Sequence, residues 1–123
     1  MLAQRTPHEA YRRVDFDARV AGANPAQLVS LCCEQVAGAL GTALHAAGRG
    51  DNALKSQSLT RALSAVTALQ FGVSGEDGIA GALRRLYGAA RGAILDSAVA
   101  FDAATIAAIR DDFLEIGKAM QAA

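Results

Sequence analysis

The sequence predicts an all-α protein, an antiparallel up-down-up-down four-helix bundle with a short N-terminal helical cap segment. Three observations predict it. Apolar residues recur at intervals of three and four, the period of a helix face and not of a strand. Capping residues and glycine-rich breaks punctuate the chain between these stretches. The two prolines, Pro7 and Pro25, stand before or at helix starts, and none falls inside a helix. The alternation Val14-Asp15-Phe16-Asp17 is too short to form a strand without a partner. Short loops between long helices force neighbours to run antiparallel. At 123 residues the chain is expected to be one domain, with residues 1–22 as the cap segment and 24–121 as the bundle.

Taken in order, Asn24-Pro25-Ala26-Gln27 carries the clearest start signal. Asparagine suits the N-cap, proline the first helical position, and glutamine the third, as in a capping box. This first long helix should reach about Ala47, where Gly48-Arg49-Gly50 ends it and Asp51 can cap the next. The second carries Leu59, Ala62, Leu63, Val66, Leu69 and Val73 on one stripe, broken by Ser74-Gly75-Glu76-Asp77-Gly78. The third resumes with Ile79, Leu83, Leu86, Tyr87, Ala90 and Ile94. Asp102 can cap a fourth, in which Ile106, Ile109, Phe113, Ile116 and Met120 alternate by three and four like a heptad seam.

Composition narrows the function classes. The residues are 52% hydrophobic but only 5% aromatic, so alanine and the aliphatics make up the core and helices can approach closely. Twelve Lys and Arg balance twelve Asp and Glu, which leaves no basic field for nucleic acid or an anionic membrane. The first residues lack the apolar run of a signal peptide, and no stretch approaches the roughly 20 apolar residues that span a bilayer. The expected location is the cytoplasm. Cys32 and Cys33 are helical neighbours whose side chains diverge by about 100°, so they form no disulfide with each other. Without a third ligand at a usual spacing they read as two small, buried or half-buried thiols, and no cofactor or metal is expected.

The first long helix has a wide apolar arc. From Leu31 through Leu28, Cys32, Val36 and Leu40 to Leu44 it covers roughly 220°, against the little more than about 100° that a bundle face needs. Ser30, Glu34, Gly38, Gly41 and His45 make the narrow polar remainder. Either neighbours bury the arc on both sides, or part of it is offered to a partner helix. The candidate groove comprises Leu31, Val36, Leu40, Leu44, Leu59, Leu63 and Phe71. Phe71 lies opposite the Ala62-Val66-Leu69 stripe and is expected to be packed by the following loop. The N-terminal segment with Tyr11, Val14 and Phe16 could cover the groove when no partner is bound.

Ala10-Tyr11, then Asn24-Pro25-Ala26-Gln27-Leu28-Val29-Ser30-Leu31, Leu69-Gln70-Phe71 and Ile79-Ala80 with Leu83, Leu86 and Tyr87 together resemble the signature of the flagellar export chaperone family FliS, from about residue 10 to residue 120. The chain departs from it at Cys32-Cys33, at Gly88-Ala-Ala-Arg91-Gly92, and at Phe113, where a tryptophan is frequent. The resemblance implies a helical bundle that binds the disordered C-terminal part of flagellin, prevents premature polymerisation, and delivers the subunit to the flagellar type III export apparatus. It also implies that the tyrosine segment, here Tyr11 with Val14 behind it, covers the groove and docks on the export gate protein FlhA. An aromatic staple pinning a short helix is the other reading of Tyr11.

No enzyme motif competes with this. The sequence has no Gly-x-Ser-x-Gly, no phosphate loop and no Glu-x-x-His pair, and neither His8 nor His45 has a recognisable partner. Asp111, Asp112 and Glu115 beside Arg110 read as a solvated face. Gly88 and Gly92 read as a close helix contact within the bundle, because Arg84, Arg85 and Arg91 rule out a membrane helix. The alternative function is a self-associating four-helix adaptor that uses the same apolar surface. An adaptor should form a stable homo-oligomer, whereas an export chaperone should be a monomer or weak homodimer.

Overall fold

A computed structural model of the chain describes residues 7–22 and 24–122, without the side chains of residues 7–9, 11, 12, 14 and 20. It is an all-α bundle of five helices: α1 (Pro7–Ala21), α2 (Pro25–Gly48), α3 (Asn52–Gly72), α4 (Gly78–Val99) and α5 (Ala103–Ala122). The described residues contain no strand.

Each long helix starts where a short polar side chain can satisfy its first free N–H groups. At α2 the capping box is complete: the Gln27 amide donates to Asn24 Oδ1 at 2.8 Å and the Asn24 amide to Gln27 Oε1 at 2.9 Å. Asp51 accepts from the Leu54 amide at 3.1 Å and Asp77 from the Ala80 amide at 2.7 Å. Asp102 accepts from the Ala104 amide and from the Thr105 hydroxyl, and the Thr105 bonds hold its carboxyl below the usual range. Between α2 and α3 the turn is tight. Gly50 adopts φ +71°, a conformation open to glycine, and the Asp51 amide returns to the Ala46 carbonyl at 2.9 Å.

α2 is the centre of the bundle and packs along α3 and α5, while α4 packs on α3 and meets α5 at few places. The paired contacts run in opposite senses. Ser30 and Cys33 face Gly117, and Gly41 faces Arg110, so α2 and α5 are antiparallel. Thr67 touches Arg91 and Gln70 lies against Gly88, which makes α3 and α4 antiparallel too. One cluster forms the core. It includes Val36, Leu40, Val66, Ile94, Ile106 and Phe113, with the Tyr87 ring stacked 6.0 Å from that of Phe113.

The wide apolar arc of α2 is thereby explained: α3 and α5 flank the helix, and Leu31, Val36, Leu40 and Leu59 are closed into the core, with Leu40 0% exposed. These four do not form an open groove wall. Leu44 and Leu63 are half-buried against the same cluster. Four other expectations change. Phe71 is 83% exposed, because the loop after α3 turns Val73 toward the core instead of covering the ring. Ile79 is 74% exposed at the open end of the bundle, and Leu86 is exposed on the same flank of α4, away from α3. Ser30 is buried, since its hydroxyl donates to the Gly117 carbonyl at 3.2 Å. Gly88 makes the expected close contact, but a Cβ on Gly92 would meet nothing within 4 Å.

α5 comes close to α2 at Gly117, where a Cβ would stand 3.4 Å from the Cys33 Cβ and 3.8 Å from the Ser30 carbonyl oxygen. Backbone lies on the far side, so a large side chain cannot be accommodated by a rotamer change. Gly117→Leu is expected to lower stability by about 2 kcal/mol, read as a fall in the urea midpoint at unchanged m-value. An unchanged midpoint would show that α5 can move off α2 freely.

Candidate functional site

α1 lies against α2 through a bidentate ion pair. Arg19 Nη1 donates to Glu34 Oε1 at 3.2 Å and Nη2 to Oε2 at 3.0 Å, with both side chains about half exposed. The hydrogen bonds first, and then the Glu34 charge, raise the Arg19 pKa above its ordinary value. Arg13 and Asp17 pair with each other along α1 at 3.7 Å.

Between α1, α2 and α3 lies a cleft of about 650 Å³. Arg13, Phe16 and Asp17 of α1 face Leu28, Cys32 and Gln35 on α2, and the third wall is α3 from Leu54 to Ala68. Ser58 is on that wall. Its hydroxyl is buried and has no hydrogen-bond partner. A second cleft, of about 420 Å³, opens where α2 and α4 begin and α3 and α5 end. It is lined by apolar side chains, among them Val29, Leu69, Val73, Ile79, Leu83 and Met120. Leu28, Cys32 and Ala68 line both clefts, so the two form one track around the start of α2.

The chemistry of this track is that of binding. Burial raises the Cys32 thiol pKa and pushes Cys33 up to about 12, Cys33 rising further beside Cys32, so at neutral pH both stay protonated and unreactive. Tyr87 is likewise pushed up to about 12, mainly by burial. No group of three or more potential metal ligands occurs among the described residues, and no described helix is long and apolar enough to cross a membrane.

Of the residues singled out in the sequence, Phe71 presents an exposed ring beside the track. Leu44 and Leu63 keep part of their surface. Tyr11 and Val14 belong to α1, and their side chains lie outside the described residues. The lining residues Val29, Ile79, Leu83 and Ser58 were not among the expected groove residues. Helical periodicity assigned the three apolar ones to core or left them aside, because a stripe of apolar residues does not reveal which of its turns passes beyond the end of its neighbour. Nothing in the sequence marks Ser58.

Two joined clefts in a helical bundle, one of them walled on one side by α1, are a surface suited to holding another protein. The family model described as flagellar protein FliS matches residues 7–123, all of the long helices and α1 included, and the chain belongs to that family of flagellar export chaperones. This is a chaperone family and not an enzyme family. A search of curated proteins gives no match to the chain.

Two outcomes follow from this geometry. Glu34→Gln removes the charged half of the contact holding α1, an exposed pair worth about 1 kcal/mol at most. Amide exchange within α1 is expected to quicken about fivefold, with no change in α2 and α5. Ser58→Ala deletes an unpartnered buried hydroxyl and is expected to stabilise the free protein by about 1 kcal/mol in thermal unfolding. Destabilisation would show that the hydroxyl has a partner in solution.

Proposed function

We propose that the chain is a cytosolic chaperone for the disordered C-terminal segment of flagellin, which it keeps from polymerising prematurely and delivers to the flagellar type III export apparatus. The observation that carries this reading is the continuity of the two clefts through Leu28, Cys32 and Ala68. A segment that folds on binding loses about 2–5 kcal/mol in ordering, which a single small pocket cannot recover but a long track, apolar at its end cleft, can.

In this reading the client enters the end cleft against Val29, Leu83 and the exposed Ile79, then follows the track toward the space beneath α1. α1 covers that space in the free protein and leaves when the client arrives. Phe71, Leu44 and Leu63 offer surface to the client, and the buried Leu31, Val36, Leu40 and Leu59 support the track from inside the bundle. Tyr11 and Val14, on the displaced α1, become available to dock on the gate protein FlhA. The free chaperone is a monomer or weak homodimer.

The test is isothermal titration with the C-terminal segment of the organism's own flagellin, with helicity followed by circular dichroism. Saturable one-to-one binding with a gain of helix is expected. Leu28→Asp, at the junction of the clefts, should weaken it at least about tenfold while helicity is retained. Absence of heat and helix gain on a folded sample would overturn the reading in favour of a self-associating adaptor.

A further inference from the structure

Although the chain is neutral, its charges are segregated. α3 and α4 carry Lys55, Arg61, Arg84, Arg85 and Arg91 against a single acid, Asp96. On α4, Arg84, Gly88, Arg91, Leu95 and Val99 are spaced by four, three, four and four residues, so they form one stripe, with Arg85 at its edge. Among the described residues no carboxylate lies within ion-pair distance of Arg84, Arg85 or Arg91. Arg84 donates to the Gly75 carbonyl and Arg91 Nε to Thr67 Oγ1 at 3.4 Å, so their charges are oriented by neutral oxygens and left uncompensated. Asp77, in the preceding loop, is occupied in capping Ala80.

Apolar side chains flank these cations. Val99 is 92% exposed and Leu95 also lies open, at the C-terminal end of the stripe. Phe71 stands one turn beyond Thr67, the residue that Arg91 touches, so its ring borders the same face from α3. Between them the surface is low. Gly92 is exposed, a Cβ there would meet nothing within 4 Å, and glycine within a helix is less favourable than alanine, with no return inside this bundle.

We propose that the outer face of α4, with the adjoining edge of α3, docks an acidic amphipathic helix of another protein. Glutamates or aspartates of that helix meet Arg85 and Arg91, its apolar residues meet Leu95, Val99 and Phe71, and its backbone passes close over Gly92. The surface shares no lining residue with either cleft, and Phe71 alone stands at the border between them. This gives the chaperone a second binding face whose partner is selected by negative charge, with the strength falling as salt rises.

The probe is a fluorescein-labelled helical peptide of about 20 residues, with leucines on a heptad stripe flanked by glutamates, followed by anisotropy. The wild-type chain is expected to bind it saturably and to bind the lysine-for-glutamate version at least tenfold more weakly. The acidic peptide should lose about tenfold in affinity between about 50 and 300 mM NaCl. Arg85→Glu with Arg91→Glu should weaken binding at least tenfold, and so should Gly92→Phe, which fills the low surface without disturbing the bundle. Leu28→Asp, in the client track, should leave it unchanged. No saturable binding, equal binding of the two peptides, or binding lost only in Leu28→Asp would overturn the proposal. Arginine-dependent sedimentation with phosphatidylserine vesicles in place of peptide binding would assign the face to a membrane and overturn it too.

Discussion

The packing of α2 between α3 and α5 is the constraint on which the rest of the structure depends. Alanines and glycines let those helices come close, as at Gly117 against Cys33, where the Ser30 hydroxyl is tied to the Gly117 carbonyl. Dispersion falls steeply with separation, so a core with few aromatics needs close backbone approach to hold together. Leu40, Val36 and Cys33 are fully enclosed as a result, and α2 is left with little freedom to shift.

The other helices are held less tightly, and their looseness produces the functional features. α4 rests on α3 and meets α5 sparingly, leaving Leu86 and Ile79 uncovered. Where α2 and α4 begin and α3 and α5 end, no helix among the described residues closes the bundle, and the end cleft forms there with walls made of ordinary core residues such as Leu69 and Tyr87. The proposed binding surface is therefore the unfinished edge of the core. Sites of this kind need no special motif, only helices that stop before their neighbours do.

That origin explains what was legible in the sequence. Asn24, Asp51 and Asp102 state their chemistry locally, through side chains that reach amides two or three residues away, and the helix starts they mark agree with the structure. Periodicity identifies Val66, Ile94, Ile106 and Phe113 as core equally well. It does not separate Leu40, which is enclosed, from Ile79, which is open, because both sit on proper helical stripes and differ only in what lies across from them. The wide arc of α2 was visible, but its cause was not: two flanking helices and an open groove leave the same pattern in one chain. Ser58 and Gly117 depend wholly on tertiary neighbours and have no local signature.

The hold on α1 bears on how a covered site can still bind well. If α1 lies over the track in the free protein, a client must first displace it, and its apparent affinity falls by the fraction of molecules in the open form. A cover sealed by a buried apolar stripe would cost several kcal/mol to open, and affinity would fall by a thousandfold or more, on the order of tenfold for each 1.4 kcal/mol. Among the described residues α1 is tied to α2 by the exposed Arg19–Glu34 pair, and a pair of this kind, worth about 1 kcal/mol or less, lowers affinity on opening by no more than about fivefold. A cover held by such a pair still shields apolar surface from unrelated chains, since a brief, single-point contact does not recover even that cost. A long client that gains contacts along the whole track does. Length of contact, more than strength at any one point, is what such a site discriminates by, and this suits a partner that arrives as a disordered segment.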